Sequence, residues 1–258
     1  MTSETDFGWS GVVVRAAASG IVSVSGQWTV PNFSPSASGA SHCSIWVGID
    51  GKFGASSFDV LQAGVGCDFN DGNNMPYAWY EWAPDPPIPL LSSQMPVSVG
   101  DVISCSITGQ ISSNTATIEL RNLRPGAVPS AFSIQVLAMG GRSLQGGCAE
   151  WVVEAPRISG NPTTLCNYGE VQFSGCRATD ANGNTLDPSD GIALNLQQGG
   201  EFVSYGSSPG PGLVICSQRG TDGPMAAANT IPARTLPASV IAASAIPSRA
   251  LPAANVPG

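Results

Sequence analysis

An all-β fold, a two-sheet antiparallel β-sandwich of the concanavalin A-like or jelly-roll type, is predicted by three features of this 258-residue chain. About a dozen short segments alternate apolar and polar residues with the period of a strand. Glycine (31) and proline (21) punctuate those segments as turns. No helical period appears before residue 220. Hydrophobic residues make up 42% of the chain and charged ones only 11%, which implies a sizeable core under a weakly charged surface.

The strands follow in order. Trp9 sits between Gly8 and Ser10 as a loop or strand edge, and strands are predicted at Val12–Val14 and Ile21–Val30. A Ser/Pro/Gly loop leads to Ser44–Asp50, where Ile45, Val47 and Ile49 form one face and Ser44, Trp46, Gly48 and Asp50 the other. Residues 51–57 turn the chain. Asp59–Val65 alternates again, with Gln62 opposite Leu61 and Ala63, before a polar loop at 67–76. Tyr77–Trp82 places Tyr77, Trp79 and Glu81 on one face; the prolines of 83–89 then forbid an interior strand. Val97–Ile107, Thr115–Leu120 and Phe132–Leu137 precede Ala149–Glu154, which turns Trp151 and Val153 one way and Glu150, Val152 and Glu154 the other. Glu170–Ser174, Ile192–Leu196, Glu201–Tyr205 and Gly212–Cys216 complete the count. Residues 1–220 are therefore read as one sandwich domain. Residues 221–258, rich in Ala, Pro and Ser and free of aromatics, are read as a low-complexity tail with a weak helical signal at Ser239–Ala245.

A formal charge of −8 argues against nucleic acid, which needs a basic surface. No apolar run is long enough to span a membrane. The opening residues Met1–Asp6 are polar and do not read as a signal peptide. The seven cysteines form no C-x-x-C pair and there is one histidine, His42, which argues against a zinc site and leaves little room for a Ser–His or Cys–His machine. His42 is expected to be exposed or to cap a turn. Cys166 with Cys176 is one candidate disulfide, and Cys67 and Cys148 are placed to staple candidate site strands. An odd count leaves at least one thiol free.

Four strands share one pattern. Each has a plain apolar face and carries its unusual residues on the other: Trp46 and Asp50, Gln62, Trp79 and Glu81, and Glu154 with Glu150. If these strands are neighbours in a sheet, the residues line one groove. Exposed tryptophans beside carboxyls and an amide suit an extended polymer. The tryptophans also weigh against an inert solvent face, although a lone Gln or Glu there usually does nothing. Tyr80, Trp82 and Trp151 are read as core.

The blocks Trp46-Val47-Gly48-Ile49-Asp50-Gly51, Leu61-Gln62-Ala63-Gly64, Ala78-Trp79-Tyr80-Glu81-Trp82 and Ala149-Glu150-Trp151-Val152-Val153-Glu154 resemble, in order and spacing, the signature blocks of the glutamic peptidases, or eqolisins. Gly8-Trp9-Ser10-Gly11 looks like the N-terminal segment of that family, and the resemblance covers residues 7 to 216. It implies a sandwich with the active site on a concave face, and a secreted, acid-acting endopeptidase that uses a Gln/Glu dyad without metal or cofactor. Its substrates are expected to be unfolded polypeptides and its state a monomer. Matched block by block, the dyad is Gln62 and Glu154, and Trp9, Trp46, Asp50, Trp79 and Glu81 fall where the family lines or supports its cleft. The chain departs from the pattern at Ala83 and Pro156, where fungal members place aromatics. On this resemblance the given sequence is expected to start close to the mature boundary, with no stretch matched to the prosegment these enzymes carry, and its Pro-rich tail has no counterpart.

The chemistry expected of the pair is simple. Glu154, at an ordinary glutamate pKa, takes a proton from water, Gln62 stabilises the oxyanion, and Glu154 returns the proton to the leaving amine. Two rivals remain at this level. A sandwich glycoside hydrolase would use Glu81 and Glu154 as its carboxyl pair, but would leave Gln62 idle. A non-catalytic glycan- or peptide-binding module would explain the tryptophans alone.

Overall fold

The computed structural model describes residues 1–37, 39–53, 59–70 and 74–218. The low-complexity tail and its helical signal lie outside the described residues, as do most of the turn at 51–57 and part of the loop at 67–76.

Eighteen strands are formed among the described residues. They run β1 (Thr2–Asp6), β2 (Trp9–Arg15), β3 (Ile21–Thr29), β4 (Ser41–Asp50), β5 (Val60–Phe69) and β6 (Tyr77–Ala83). Next come β7 (Ile88–Pro89), β8 (Val102–Gln110), β9 (Thr115–Asn122), β10 (Ala131–Leu137), β11 (Cys148–Glu154) and β12 (Arg157–Ile158). The last six are β13 (Asn161–Pro162), β14 (Glu170–Asp180), β15 (Thr185–Leu186), β16 (Ile192–Gln198), β17 (Glu201–Ser207) and β18 (Val214–Gln218).

Hydrogen bonding follows the path β10-β9-β8-β3-β14-β18-β17-β16-β2-β11-β4-β5-β6-β7. The path is one ribbon folded over itself. Strand β14 makes the fold: its first half pairs with β18 and its second half with β3, and the register slips between Ser174 and Arg177. A bulge there bends the strand and passes it from one sheet to the other. Among the described strands pairing is antiparallel except at β1, which lies parallel along β16; an isolated bridge from His42 to Leu165 is also parallel. The polar sequence Thr2–Asp6 gave no strand signal, because one exposed edge strand has no apolar face to bury.

The core lies between β3, β8 and β9 on one side and β11, β4 and β5 on the other. Ile45, Val47, Ile49, Leu61, Ala63, Val65, Trp151 and Val153 enter it from the second sheet, and Trp82 and Tyr80 join them. Trp151 crosses between sheets: its indole N–H donates to the Ser25 carbonyl at 2.8 Å, over Gly26. A Cβ at Gly26 would stand 3.0 Å from that ring, so the glycine lets the sheets approach.

Three expectations are corrected. Val97–Asp101 is not strand; β8 begins at Val102, and Asp101 instead accepts the Ser98 amide in a turn. Strand β5 runs on through Cys67 to Phe69, because Cys67 points into the core rather than into a polar loop. All seven cysteines are free thiols and all are buried; apolar burial, not bridging, places them, so Cys166 and Cys176 are unpaired, as are Cys67 and Cys148.

Candidate active site

Strands β11, β4, β5 and β6 are consecutive neighbours, so their outward side chains stand in rows. The first row is Glu154–Ser44–Gly66–Tyr77, the second Val152–Trp46–Gly64–Trp79, and the third Glu150–Gly48–Gln62–Glu81. Strand β2 adds Trp9 opposite Glu154. Large residues alternate with glycines across these rows. Gly64 has Trp46 and Trp79 as row neighbours, and a Cβ there would lie 2.0 Å from the Ile45 carbonyl oxygen.

The outcome is a cleft of about 950 Å³ on the face opposite the core, lined by Trp9, Gln62, Trp79, Glu81 and Glu154 among others. Trp46 and Trp79 are not exposed, contrary to the reading of a tryptophan-lined surface. They are 0% and 4% accessible and form a second small core with Val60 and Val152, against which Trp9 and Tyr77 pack. Trp9 meets Trp46 edge-on with ring centroids 4.9 Å apart. The aromatic layer makes a dry floor beneath the carboxyls.

Glu154 ends β11 at that floor. Its Oε2 accepts the Trp46 indole N–H at 2.8 Å. Burial raises its carboxyl to about 7, against the indole N–H groups of Trp46 and Trp9, which favour the charged form. The ordinary glutamate value expected from sequence is thereby corrected: the apolar floor desolvates the group. Glu81 is also raised to about 7, first by burial and then by the negative charge of Glu154. Gln62 is buried, and its Nε2 donates to Glu81 Oε2 at 2.8 Å. Its Oε1 has no hydrogen-bond partner, and neither does the Trp79 indole nitrogen.

Asp50 does not line the cleft. At a left-handed φ of 74° its carboxylate turns away and accepts three backbone N–H groups, from Gln145, Gly146 and Gly147, at 2.6–3.1 Å. It thus anchors the segment that leads into β11. His42 is neither exposed nor a cap. It is buried in the row beyond Ser44, with Nδ1 2.8 Å from Asp68 Oδ1, and Asp68 also accepts the Tyr77 hydroxyl at 2.7 Å. Sequence reasoning missed Asp68, Tyr77 and Ser44 as cleft-lining residues. The signal was available: His42 and Ser44 share the parity of Trp46, and Asp68 that of Gln62. Among the described residues, no cluster of three or more His, Cys, Asp or Glu is placed to hold a metal ion.

A desolvated carboxyl pair and a buried amide share one cleft on the face of a β-sandwich, a set of groups suited to acid–base hydrolysis. The model of the Peptidase A4 family matches residues 8–218. Aspergillopepsin-2 of Aspergillus niger is 31% identical over 227 residues, covering 80% of this chain and 76% of the relative. Among solved structures, scytalido-glutamic peptidase with a peptide-based transition-state analog superposes with a TM-score of 0.69 at 24% identity, over 83% of this chain and 99% of the other. Aspergilloglutamic peptidase from Aspergillus niger gives 0.60 at 26% identity, over 69% and 99%. The chain belongs to the Peptidase A4 family, the glutamic peptidases, and is a peptidase. The glycoside hydrolase and binding-module readings fall with that membership.

Proposed function

We propose that this peptidase is an acid-acting endopeptidase that cleaves unfolded polypeptides through Glu154 and Gln62, without a cofactor. The observation that carries the reading is the placement of the two side chains. Both line one cleft, the carboxyl desolvated and fixed by the Trp46 indole, the amide fixed by Glu81. A cleft of this size on an open sheet face takes an extended chain, which an unfolded substrate supplies.

Because burial holds Glu154 up to about 7, the group is neutral in mild acid and enters the reaction as a donor. It protonates the scissile carbonyl oxygen as water attacks the carbon. The carboxylate so formed takes the proton released by the water, and passes it to the amine as the C–N bond breaks. Gln62 donates an N–H to the same carbonyl oxygen and stabilises the negative charge that builds on it while the Glu154 proton is in transit, and the new acid group returns a proton to Glu154 as the amine departs. Trp9 and Trp79 hold the substrate chain, Glu81 orients the amide, and Trp46 and Asp50 support the floor and its approach. Work in an acidic, extracellular setting by a monomer follows from the same reading.

The test is digestion of a denatured protein from pH 2 to 7 by wild type, Glu154→Gln and Gln62→Ala. Acid cleavage that resists pepstatin and chelators and is lost in both variants is expected. Cleavage that survives both substitutions would overturn the assignment.

A further inference from the structure

The Gln62 amide uses only one of its two ends. Nε2 donates to Glu81, while Oε1 is buried without a donor. A second side-chain oxygen on the same sheet face is in the same condition. It is Oε2 of Glu150, a residue with no solvent exposure that the chemistry above leaves unused.

The register places these two side chains in one row. Glu150 pairs with Gly48, and Gly48 pairs with Gln62, so the three stand in one row with the glycine in the middle. The glycine itself puts no side chain between the outer two. Glu150 Oε2 already leans over the gap, 3.3 Å from where a Cβ on Gly48 would sit. The Trp46 ring edge lies 2.8 Å from the same point and roofs the space.

Two buried acceptors left facing each other would both stay unsatisfied. One proton converts them into a donor and an acceptor. An amide oxygen does not carry that proton at ordinary pH, so it belongs to Glu150. The neighbours agree. The Cys148 thiol donates to Glu150 Oε1 at 2.7 Å, which leaves Oε2 as the hydroxyl. The ionisable groups that act on it are Cys148 on β11 and Asp50 on β4, neither of which supplies a positive charge. Arg15, opposite Cys148 on β2, turns its guanidinium over the Phe53 ring at 4.1 Å. Burial and the charge of Asp50 accordingly push the Glu150 carboxyl well above the usual range.

We infer that Glu150 is a positioning residue of this active site: as a neutral acid it hydrogen-bonds across Gly48 to the Gln62 carbonyl oxygen and fixes which end of that amide faces Glu81 and the cleft. The inference rests on the proposed role of Gln62 as oxyanion donor. Without the Glu150 proton the amide can turn end for end and present oxygen to a developing negative charge.

Two variants and one spectrum test it. Glu150→Gln keeps a donor at that place, whereas Glu150→Met keeps the length and removes the donor. Glu150→Gln is expected to hold kcat within about threefold, and Glu150→Met to lower kcat by about tenfold or more with KM unchanged. In a Gln62→Ala background Glu150→Met should add nothing further. The infrared difference between wild type and Glu150→Gln at pH 7 should contain the carbonyl band of a protonated carboxyl group. Glu150→Met with wild-type kcat would overturn the inference. So would the absence of that band, which decides the matter even if Glu150→Met does not fold. Full activity of Gln62→Ala would instead overturn the reading of Gln62, and with it the catalytic consequence, while the infrared result bears on the Glu150 proton alone.

Discussion

At the scale of the residue, Trp46 and Glu154 form the contact that tunes the site. The indole N–H favours the carboxylate, so Trp46→Phe removes a force that lowers the Glu154 pKa. The high-pH limb of kcat/KM is expected to move upward by about half a unit to one unit, which a pH–rate profile will read. An unmoved limb would mean that another group controls it. Glu154→Gln is expected to lower kcat by at least about 10³-fold, since the proposed proton carrier is gone. The same substitution should leave the fold intact and raise Tm slightly at pH 7, because it removes a carboxyl that ionises only against burial. The sequence made Gln62, Glu81 and Glu154 legible through parity, each standing opposite an apolar face. It gave Asp50 the right parity and the wrong surroundings, because a left-handed backbone at the end of β4 turns that side chain out of its row.

At the scale of the element, β4 is held in register by what its neighbours lack. Gly64 on β5 leaves no room for a side chain, so Gly64→Ala is expected to prevent folding or lower Tm by more than about 10 °C. The end of β4 is held by Asp50 and its three backbone donors. Asp50→Ala orphans those donors and should cost about 3 kcal/mol, roughly 5–10 °C in Tm. Thermal unfolding measures both effects, and an Asp50→Ala protein as stable as wild type would remove Asp50 from its anchoring role. Most strands were legible, because alternation over five or more residues is a strong signal. Short edge pieces such as β1 and β7 were not, since they bury no face of their own.

At the scale of the whole molecule, the raised carboxyls set a pH dependence of stability. Glu81 and Glu154 titrate near 7, and Asp50 and Glu150 are raised as well. Each holds a proton in the folded chain that the unfolded chain has already released. Their contribution is therefore complete below the ordinary carboxyl range and is lost as pH rises toward about 7. Asp180 and Asp187 are shifted the other way, and their stabilisation is lost only as pH falls below that range. The protein is expected to be more stable near pH 4.5 than near pH 7.5, by roughly 5 °C or more. The Glu81→Gln, Glu154→Gln double variant should flatten that difference. The formal charge of −8 acts in the same direction, since self-repulsion grows as the carboxyls ionise.

The sequence by itself determined the fold class, the inward and outward face of each long strand, and, through the four blocks that resemble the glutamic peptidases, the two residues assigned to the chemistry. These are matters of local period and of short ordered motifs, which are written along the chain. Only the tertiary structure decided which strands are neighbours, that Trp46 and Trp79 form a floor rather than a surface, that the thiols are buried without bridging, and that Glu150 shares a cross-strand row with Gln62 across Gly48. The physical reason is that burial and electrostatic environment belong to cross-strand rows. A row joins residues as distant as Gly48 and Glu150, and its members are chosen by register, which no single strand encodes.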